Sequence, residues 1–368
     1  MAFYHNLKDY KNNPDYPNKA AWISARLLTL RHDLYHAIKK DRRPNSLIIG
    51  SWNIRAFDGG IPRMDESYHY IAEIIDHFDI CAIQEIKSDL APLHRLMKLL
   101  GPNWDFFVSD VSTHEGGNNE RMAFVYNTNR VFFRNIIGEI VLSKKDLIAG
   151  NQVARSPFFA SFQAGWFRFS LCTAHIMFGK DLSLRAAEIK VIADALIKRA
   201  KLEDQVHIFL GDMNIEEEDD EVMQALKDSA LVVPDFGPTN MSGDKWFDHM
   251  AFTEKGKAER KTRLLRHGKF DWRHAVFGPH PNPDNKPFEL SEEDTIEGKK
   301  RLSAKVILEH YEKQAEKIRE AYNKAPYANW SKAYKNWTTH EMSDHLPIWM
   351  ELEIDYSDDY LCRYLKSE

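Results

Sequence analysis

Apolar runs of strand length recur along this chain, and several of them stop abruptly at a carboxylate, a carboxamide or an imidazole. Leu47–Trp52 ends in Asn53, Ile80–Gln84 in Glu85, Leu171–Ala174 in His175, and Val206–Gly211 in Asp212 and Asn214. Trp246–Phe247 is followed by Asp248, and Asp344 and His345 open the last apolar run. These short runs predict strands at Leu47–Ile54, Ile80–Glu85, Met122–Asn127, Phe158–Phe162, Phe167–Ala174, Val206–Leu210, Phe247–Phe252 and Leu346–Ile354. Between them, apolar residues at helical spacing predict helices at Asp65–Phe78, Leu90–Leu100, Leu184–Ala200 and Asp220–Asp228. Many strands mixed with helices are satisfied by two stacked sheets with helices outside, an α+β arrangement. If the strand ends share one rim of that sandwich, the polar residues converge.

Such a gathering of carboxylates needs a counter-charge, because acids held close together repel and raise one another's pKa. A bound divalent cation supplies it. The available donors are oxygens without any thiolate pattern, which favours Mg²⁺ or Mn²⁺ over zinc, with Ca²⁺ a further candidate at a structural site. Taken singly, each residue has a plainer reading: Asn53 as a turn cap, Glu85 as a strand-end acid, His175 as a core histidine, Asp212 and Asn214 as turn residues, Asp248 and Asp344 as ordinary caps. The argument rests on all of them occurring together and in order.

Four motifs carry a resemblance. Ser51-Trp52-Asn53-Ile54-Arg55, Gln84-Glu85, Gly211-Asp212-Met213-Asn214 and Ser343-Asp344-His345-Leu346-Pro347 follow one another along the chain. Together they resemble the endonuclease/exonuclease/phosphatase superfamily over about residues 46–252 and 342–354. Glu120-Arg121 and Arg155-Ser156-Pro157-Phe158, each before a strand, and a His rather than a Tyr at position 175 resemble its deoxyribonuclease I branch. The resemblance implies a four-layer α/β sandwich, two stacked mixed sheets flanked by helices. It also implies two dyads, Glu120 with His175 and Asp248 with His345, serving as acid and base in phosphodiester hydrolysis. Glu85 and Asn53 would bind metal and Asp344 could share in it. Asp212 and Asn214 would hold a second cation or position the phosphate. Arg155 would grip a phosphate oxygen, and Lys87 would enter the minor groove of a DNA substrate.

Other features bound the function. The formal net charge of −5 over 368 residues argues against a tight non-specific nucleic-acid coat protein, but not against an enzyme that brings cations to a phosphate. The three cysteines lack metal or redox spacing, and Cys81 and Cys172 read as buried thiols of a reducing compartment. With no secretory signal and no apolar stretch near the length of a membrane span, a cytoplasmic location is expected. Residues 1–45, with nine Lys/Arg against four Asp, read as a leader whose helix, Ala20–Ile38, packs on the domain 46–368. Residues 254–341 read as a helical insertion. It holds a basic run, Lys255–Lys269, then a Pro/Asn-rich loop, Gly278–Pro287, a helix, Lys300–Asn323, and an aromatic, basic patch, Tyr327–Trp337. The expected activity is a metal-dependent endonuclease on DNA with little sequence preference. The rivals are a phosphatase or lipid phosphodiesterase of the same superfamily and a non-catalytic binding module.

Overall fold

The computed structural model describes residues 2–10, 19–57, 59, 63–112, 118–179, 181–255, 261–277 and 330–365. Its centre is a pair of six-stranded sheets. The strands in chain order are β1 (Ser46–Phe57), β2 (Ile80–Lys87), β3 (Trp104–Val108), β4 (Glu120–Asn127), β5 (Phe132–Glu139), β6 (Phe158–Ala164), β7 (Phe167–His175), β8 (Val206–Asp212), β9 (Leu231–Val232), β10 (Asp248–Thr253), β11 (Leu264–Lys269) and β12 (Ile348–Glu353). One sheet has the order β11-β12-β1-β2-β4-β3 and the other β5-β6-β7-β8-β10-β9. The helices are α1 (Lys19–Leu34), α2 (Asp65–Ile75), α3 (Ala91–Leu100), α4 (Leu182–Ala200), α5 (Glu221–Lys227), α6 (Trp330–Glu341) and α7 (Ser357–Leu365).

Each sheet is built around one parallel pair. β1 and β2 run parallel with Ile49 beside Ile80, and β7 and β8 run parallel with Phe169 beside Val206. A parallel pair needs a crossover, and α2 and α4 supply them. Every other pairing in the two sheets is antiparallel.

The period-2 alternation of strands explains why these runs are apolar throughout. From β1, Leu47 and Ile49 face the second sheet, while Ile48 and Trp52 face the helices. From β7, Phe169 and Leu171 point between the sheets, while Cys172 and Ala174 point to α4 and α5. The inter-sheet layer is aromatic, with Phe124, Phe162 and Phe169 fully buried. Burying a side chain of that size contributes roughly 2–3 kcal/mol. On α4, Ile189, Ile192, Ala193 and Leu196 form the expected buried stripe, and Asp181 caps its start by accepting from the backbone N–H of Ser183 and Leu184. Cys81 and Cys172 are buried, as the sequence suggests, and burial raises both thiol pKa values.

Ile23, Leu27, Leu30 and Leu34 of α1 are buried with Ile71, Ile74 and Ile75 of α2. A single π-type turn, Tyr35–Lys39, then buries Ile38. Arg42 and Arg130 both donate to the carbonyl of Ser46 and flank the buried carboxylate of Asp79, which accepts from the N–H of Ile48. That cluster anchors the start of β1.

The strand boundaries shift from the sequence expectation by up to three residues, and β3, β5, β9 and β11 are additional. β11 lies in the basic run of residues 254–341 and pairs antiparallel with β12. The described cations of that run are engaged: Arg266 bridges Glu351, Arg263 bridges Glu353 and Asp359, and Lys261 bridges Glu254. Phe270, Trp272, Val276 and Phe277 continue from β11 into the core. The helix expected at Lys300–Asn323, the loop Gly278–Pro287, and the Trp22 and Tyr327–Tyr334 side chains lie outside the described residues. No helix among the described residues is long and apolar enough to cross a membrane.

At Gly211, φ is +133°, and an added Cβ would meet the carbonyl oxygen of Ala174 at 2.1 Å. That contact is with backbone and cannot be relieved by a rotamer change. Gly211→Ala is therefore expected to destabilise the fold by at least about 2 kcal/mol, measured as the loss in urea-unfolding free energy.

Candidate active site

The parallel pairs decide where the site forms. β1, β2, β7 and β8 end at one rim, presenting Asn53, Glu85, His175 and Asp212 there. The antiparallel neighbours begin at that rim, so β4 contributes Glu120 and β10 contributes Asp248 as first residues. The loop entering β12, antiparallel to β1, brings His345.

Two carboxylate–imidazole pairs form. His345 Nδ1 is 2.8 Å from Asp248 Oδ2, and His175 Nδ1 is 3.2 Å from Glu120 Oε2. The outer nitrogens of both rings converge on one oxygen: Asp212 Oδ2 is 3.5 Å from His175 Nε2 and 3.7 Å from His345 Nε2. Burial opposes charge on His345, but Asp248 and Asp212 outweigh it and hold its pKa well above the ordinary histidine value. Burial pushes the Asp212 carboxyl up, against the pull of the two histidines. Burial would raise Glu120 as well, yet His175, Arg155 and Lys87 together hold it down to about 2.

Glu85 sits at a bulge. The β1–β2 register shifts after Asn53 and the β2–β4 register shifts after Ile83. Glu85 itself has φ +63° and Ala56 has φ +44°. Two non-glycine residues in the left-handed region beside a site are backbone strain held in place by the surrounding sheet. The bulge lets Glu85 Oε2 accept from the N–H of Ala56 at 2.7 Å and Oε1 accept from Asn53 Nδ2 at 3.0 Å. Burial raises the Glu85 carboxyl, but the His175 charge and these two donors leave its pKa below the ordinary value.

Asn53 Nδ2 also donates to Asp212 Oδ2 at 2.8 Å, while Asn53 Oδ1 is buried with no hydrogen-bond partner. A buried carboxamide oxygen without a donor, next to two carboxylates, fits a hard cation held by Glu85, Asn53 and Asp212. Asp212, Asp248 and His345 also present ligand atoms within 4.8 Å of one another. There Asp248 Oδ2 already serves His345 and accepts from Thr239 Oγ1 at 2.7 Å, while Asp248 Oδ1 is buried without a hydrogen-bond partner.

The remaining expected residues fall around this centre. Asn214, with φ +51°, donates through Nδ2 to the carbonyl of Ile176, and its N–H donates to Asp212 Oδ1. Arg155 is buried behind the dyad, with Nε 3.0 Å from Glu120 Oε2 and Nη1 donating to the His175 carbonyl. Lys87 Nζ is 2.9 Å from Glu120 Oε1. Both cations thus face Glu120 in this structure. Asp344 is half-buried and acts on His345 through its charge. Arg121 donates to the Ser109 carbonyl.

Other positioning groups have weak sequence signals. Thr239 Oγ1 donates to Asp248 and accepts its N–H, but Gly237-Pro238-Thr239-Asn240 reads only as a turn. Ser343 Oγ donates to the Asn53 carbonyl and accepts the N–H of His345, and Trp52 Nε1 donates to the His345 carbonyl. These two lie in the quoted motifs. From α4, buried Arg185 donates to the Asn214 carbonyl, and Glu188, its pKa raised to about 7 by burial, accepts the N–H of Met177.

The depressed pKa of Glu120 has a stability consequence. A carboxyl near 2 in the fold and 4.5 otherwise contributes stability that is complete above pH 4.5 and lost as pH falls through 2. Glu120→Gln is expected to be less stable than the parent by on the order of 3 kcal/mol at neutral pH, a gap that closes between pH 4.5 and 2 in parallel denaturation series.

Comparison with solved structures finds the same fold elsewhere. An endonuclease/exonuclease/phosphatase family protein from Bacteroides thetaiotaomicron superposes with a TM-score of 0.51 at 16% identity, over 85% of this chain and 99% of that one. TDP2 of D. rerio complexed with a single-strand DNA product gives 0.50 at 14%, over 83% and 98%. The catalytic domain of human Nocturnin with bound sulfate gives 0.50 at 14%, over 84% and 94%. At these identities the likeness is one of fold. A search of the curated proteins finds no match. The family model described as Endonuclease/Exonuclease/phosphatase family matches residues 50–287, and the chain belongs to that family.

Proposed function

We propose that this protein hydrolyses phosphodiester bonds in nucleic acid, DNA foremost, with little sequence preference and with Mg²⁺ or Mn²⁺ as cofactor. Family membership supports a hydrolase acting on phosphoester bonds. The observation that carries the finer reading is the placement of two imidazoles, each backed by its own carboxylate, on either side of Asp212. Hydrolysis of a phosphodiester in nucleic acid needs a proton delivered to the leaving sugar alkoxide as water is deprotonated. Two oriented imidazoles meet both demands near neutral pH. A fold shared with TDP2 of D. rerio, solved with a single-strand DNA product, supports the choice of nucleic acid.

In this mechanism His345 takes a proton from the attacking water at Nε2. Asp248 fixes its Nδ1 tautomer and stabilises the imidazolium, as the carboxylate of a Ser-His-Asp triad does. His175 delivers a proton from Nε2 to the leaving oxygen, oriented by Glu120. Asn53, Glu85 and Asp212 would hold the cation, with Asp344 as a further charge at its edge. The cation, when bound, neutralises phosphate charge and the excess of acids. Asn214 positions the phosphate, and Arg155 and Lys87 hold Glu120 in register.

Supercoiled plasmid should be nicked in Mg²⁺ or Mn²⁺ and left intact in EDTA, with inositol phosphates and sphingomyelin untouched in parallel. Phosphate release from a lipid without any DNA cleavage would overturn the proposal. His175→Ala and His345→Ala should each lose at least about a hundredfold in rate with unchanged circular dichroism. As a base, His345 must be neutral, and its pKa lies above 6.5. The limb of the pH–rate profile that reports loss of the His345 proton should therefore lie above pH 6.5.

A further inference from the structure

The loop leaving β7 is pinned residue by residue. The His175 carbonyl accepts from Arg155, and the N–H of Ile176 donates to the Asp212 carbonyl at 2.9 Å. The Ile176 carbonyl accepts from Asn214 Nδ2 at 2.6 Å, and the N–H of Met177 donates to Glu188. The next residue, Phe178, emerges from this stem with 64% of its surface exposed. Its ring centre lies 5.9 Å from the guanidinium of Arg185. Arg185 is itself immobilised, donating to the Asn214 carbonyl at 2.6 Å and pairing with Glu216 at 3.1 Å. Phe178 is thus a flat apolar ring with a cation beneath it, mounted on the loop that carries His175 and braced by the loop that carries Asp212.

Ordering four residues and leaving their apolar tip in water gains nothing for the fold. It makes sense when a planar ligand covers the ring. Three residues of chain span at most about 10 Å from His175, the length of roughly three base steps at 3.4 Å each. We propose that Phe178 is a stacking platform for a nucleobase adjoining the scissile phosphate, and so a determinant of nucleic-acid over small phosphoester substrates. The assignment rests on the nucleic-acid reading above. A π-face accepts any base, which accords with low sequence preference. Arg185 supports the platform from below, so that the ring arrives at the substrate already oriented.

The test compares the parent enzyme, Phe178→Ala and Phe178→Trp on a short single-stranded oligonucleotide and on the same sugar-phosphate backbone made wholly of abasic residues. Phe178→Ala should raise KM for the oligonucleotide about tenfold, the scale of one base–aromatic stack, with kcat within about twofold. Phe178→Trp should restore the parent KM. On the abasic backbone the three enzymes should be equal. If Phe178→Ala matches the parent on the oligonucleotide, or is impaired equally on both substrates, the platform is overturned while the nuclease reading stands. If the parent cuts neither substrate in Mg²⁺ or Mn²⁺, the nuclease reading falls and this assignment falls with it.

Discussion

The structure depends most on how it tolerates Glu85, Glu120, Asp212 and Asp248 at one rim, three of them at 4% exposure or less. Buried carboxylates cost several kcal/mol each unless charge and hydrogen bonds offset the loss of water. The fold answers with a different partner set for each. Glu120 has His175, Arg155 and Lys87, and Asp248 has His345 and Thr239. Glu85 and Asp212 share the Asn53 amide, whose oxygen is left without a donor. Of these two, Asp212 is the one whose pKa burial still raises, and a cation would offset that cost. Structural anchoring and readiness for chemistry are therefore properties of the same arrangement of charge.

Much of this was legible in the chain because strand ends were marked chemically. An apolar run that stops at Asn53, Glu85, His175 or Asp212 announces both the strand and the rim, and all four meet. Secondary structure was harder where the local pattern was mixed. β11 reads as a cationic loop because Leu264-Leu265-Arg266-His267-Gly268-Lys269 has too few apolar residues, yet pairing with β12 and the Arg266–Glu351 bridge hold it in the sheet. Arg155 and Lys87 are visible as cations from sequence, but whether such a side chain faces solvent or turns to Glu120 depends on tertiary packing. Thr239 is hidden for a different reason. A hydroxyl in a turn carries no mark of the carboxylate it will meet nine residues later.

α4 links the core to the site. Its apolar stripe packs on the outer face of the second sheet, and its polar face supplies Arg185 and Glu188 to the Asp212 and His175 loops. Hydrophobic packing sets the position of the helix, and the helix sets the position of the loops. The Glu188 pKa, raised to about 7 by burial, means that this acid carries only part of its negative charge beneath the site at neutral pH.

Glu120 belongs to the first sheet and His175 to the second; Asp248 belongs to the second, and His345 enters β12 of the first. The Asn53–Asp212 bond joins them too. Neither dyad is contained in one half of the sandwich. The apolar interlayer is non-directional and would tolerate a small slide of one sheet over the other, whereas three polar couplings across the gap would not. Turnover in this enzyme would thus act as a gauge of interlayer alignment, failing with displacements too slight to register as unfolding.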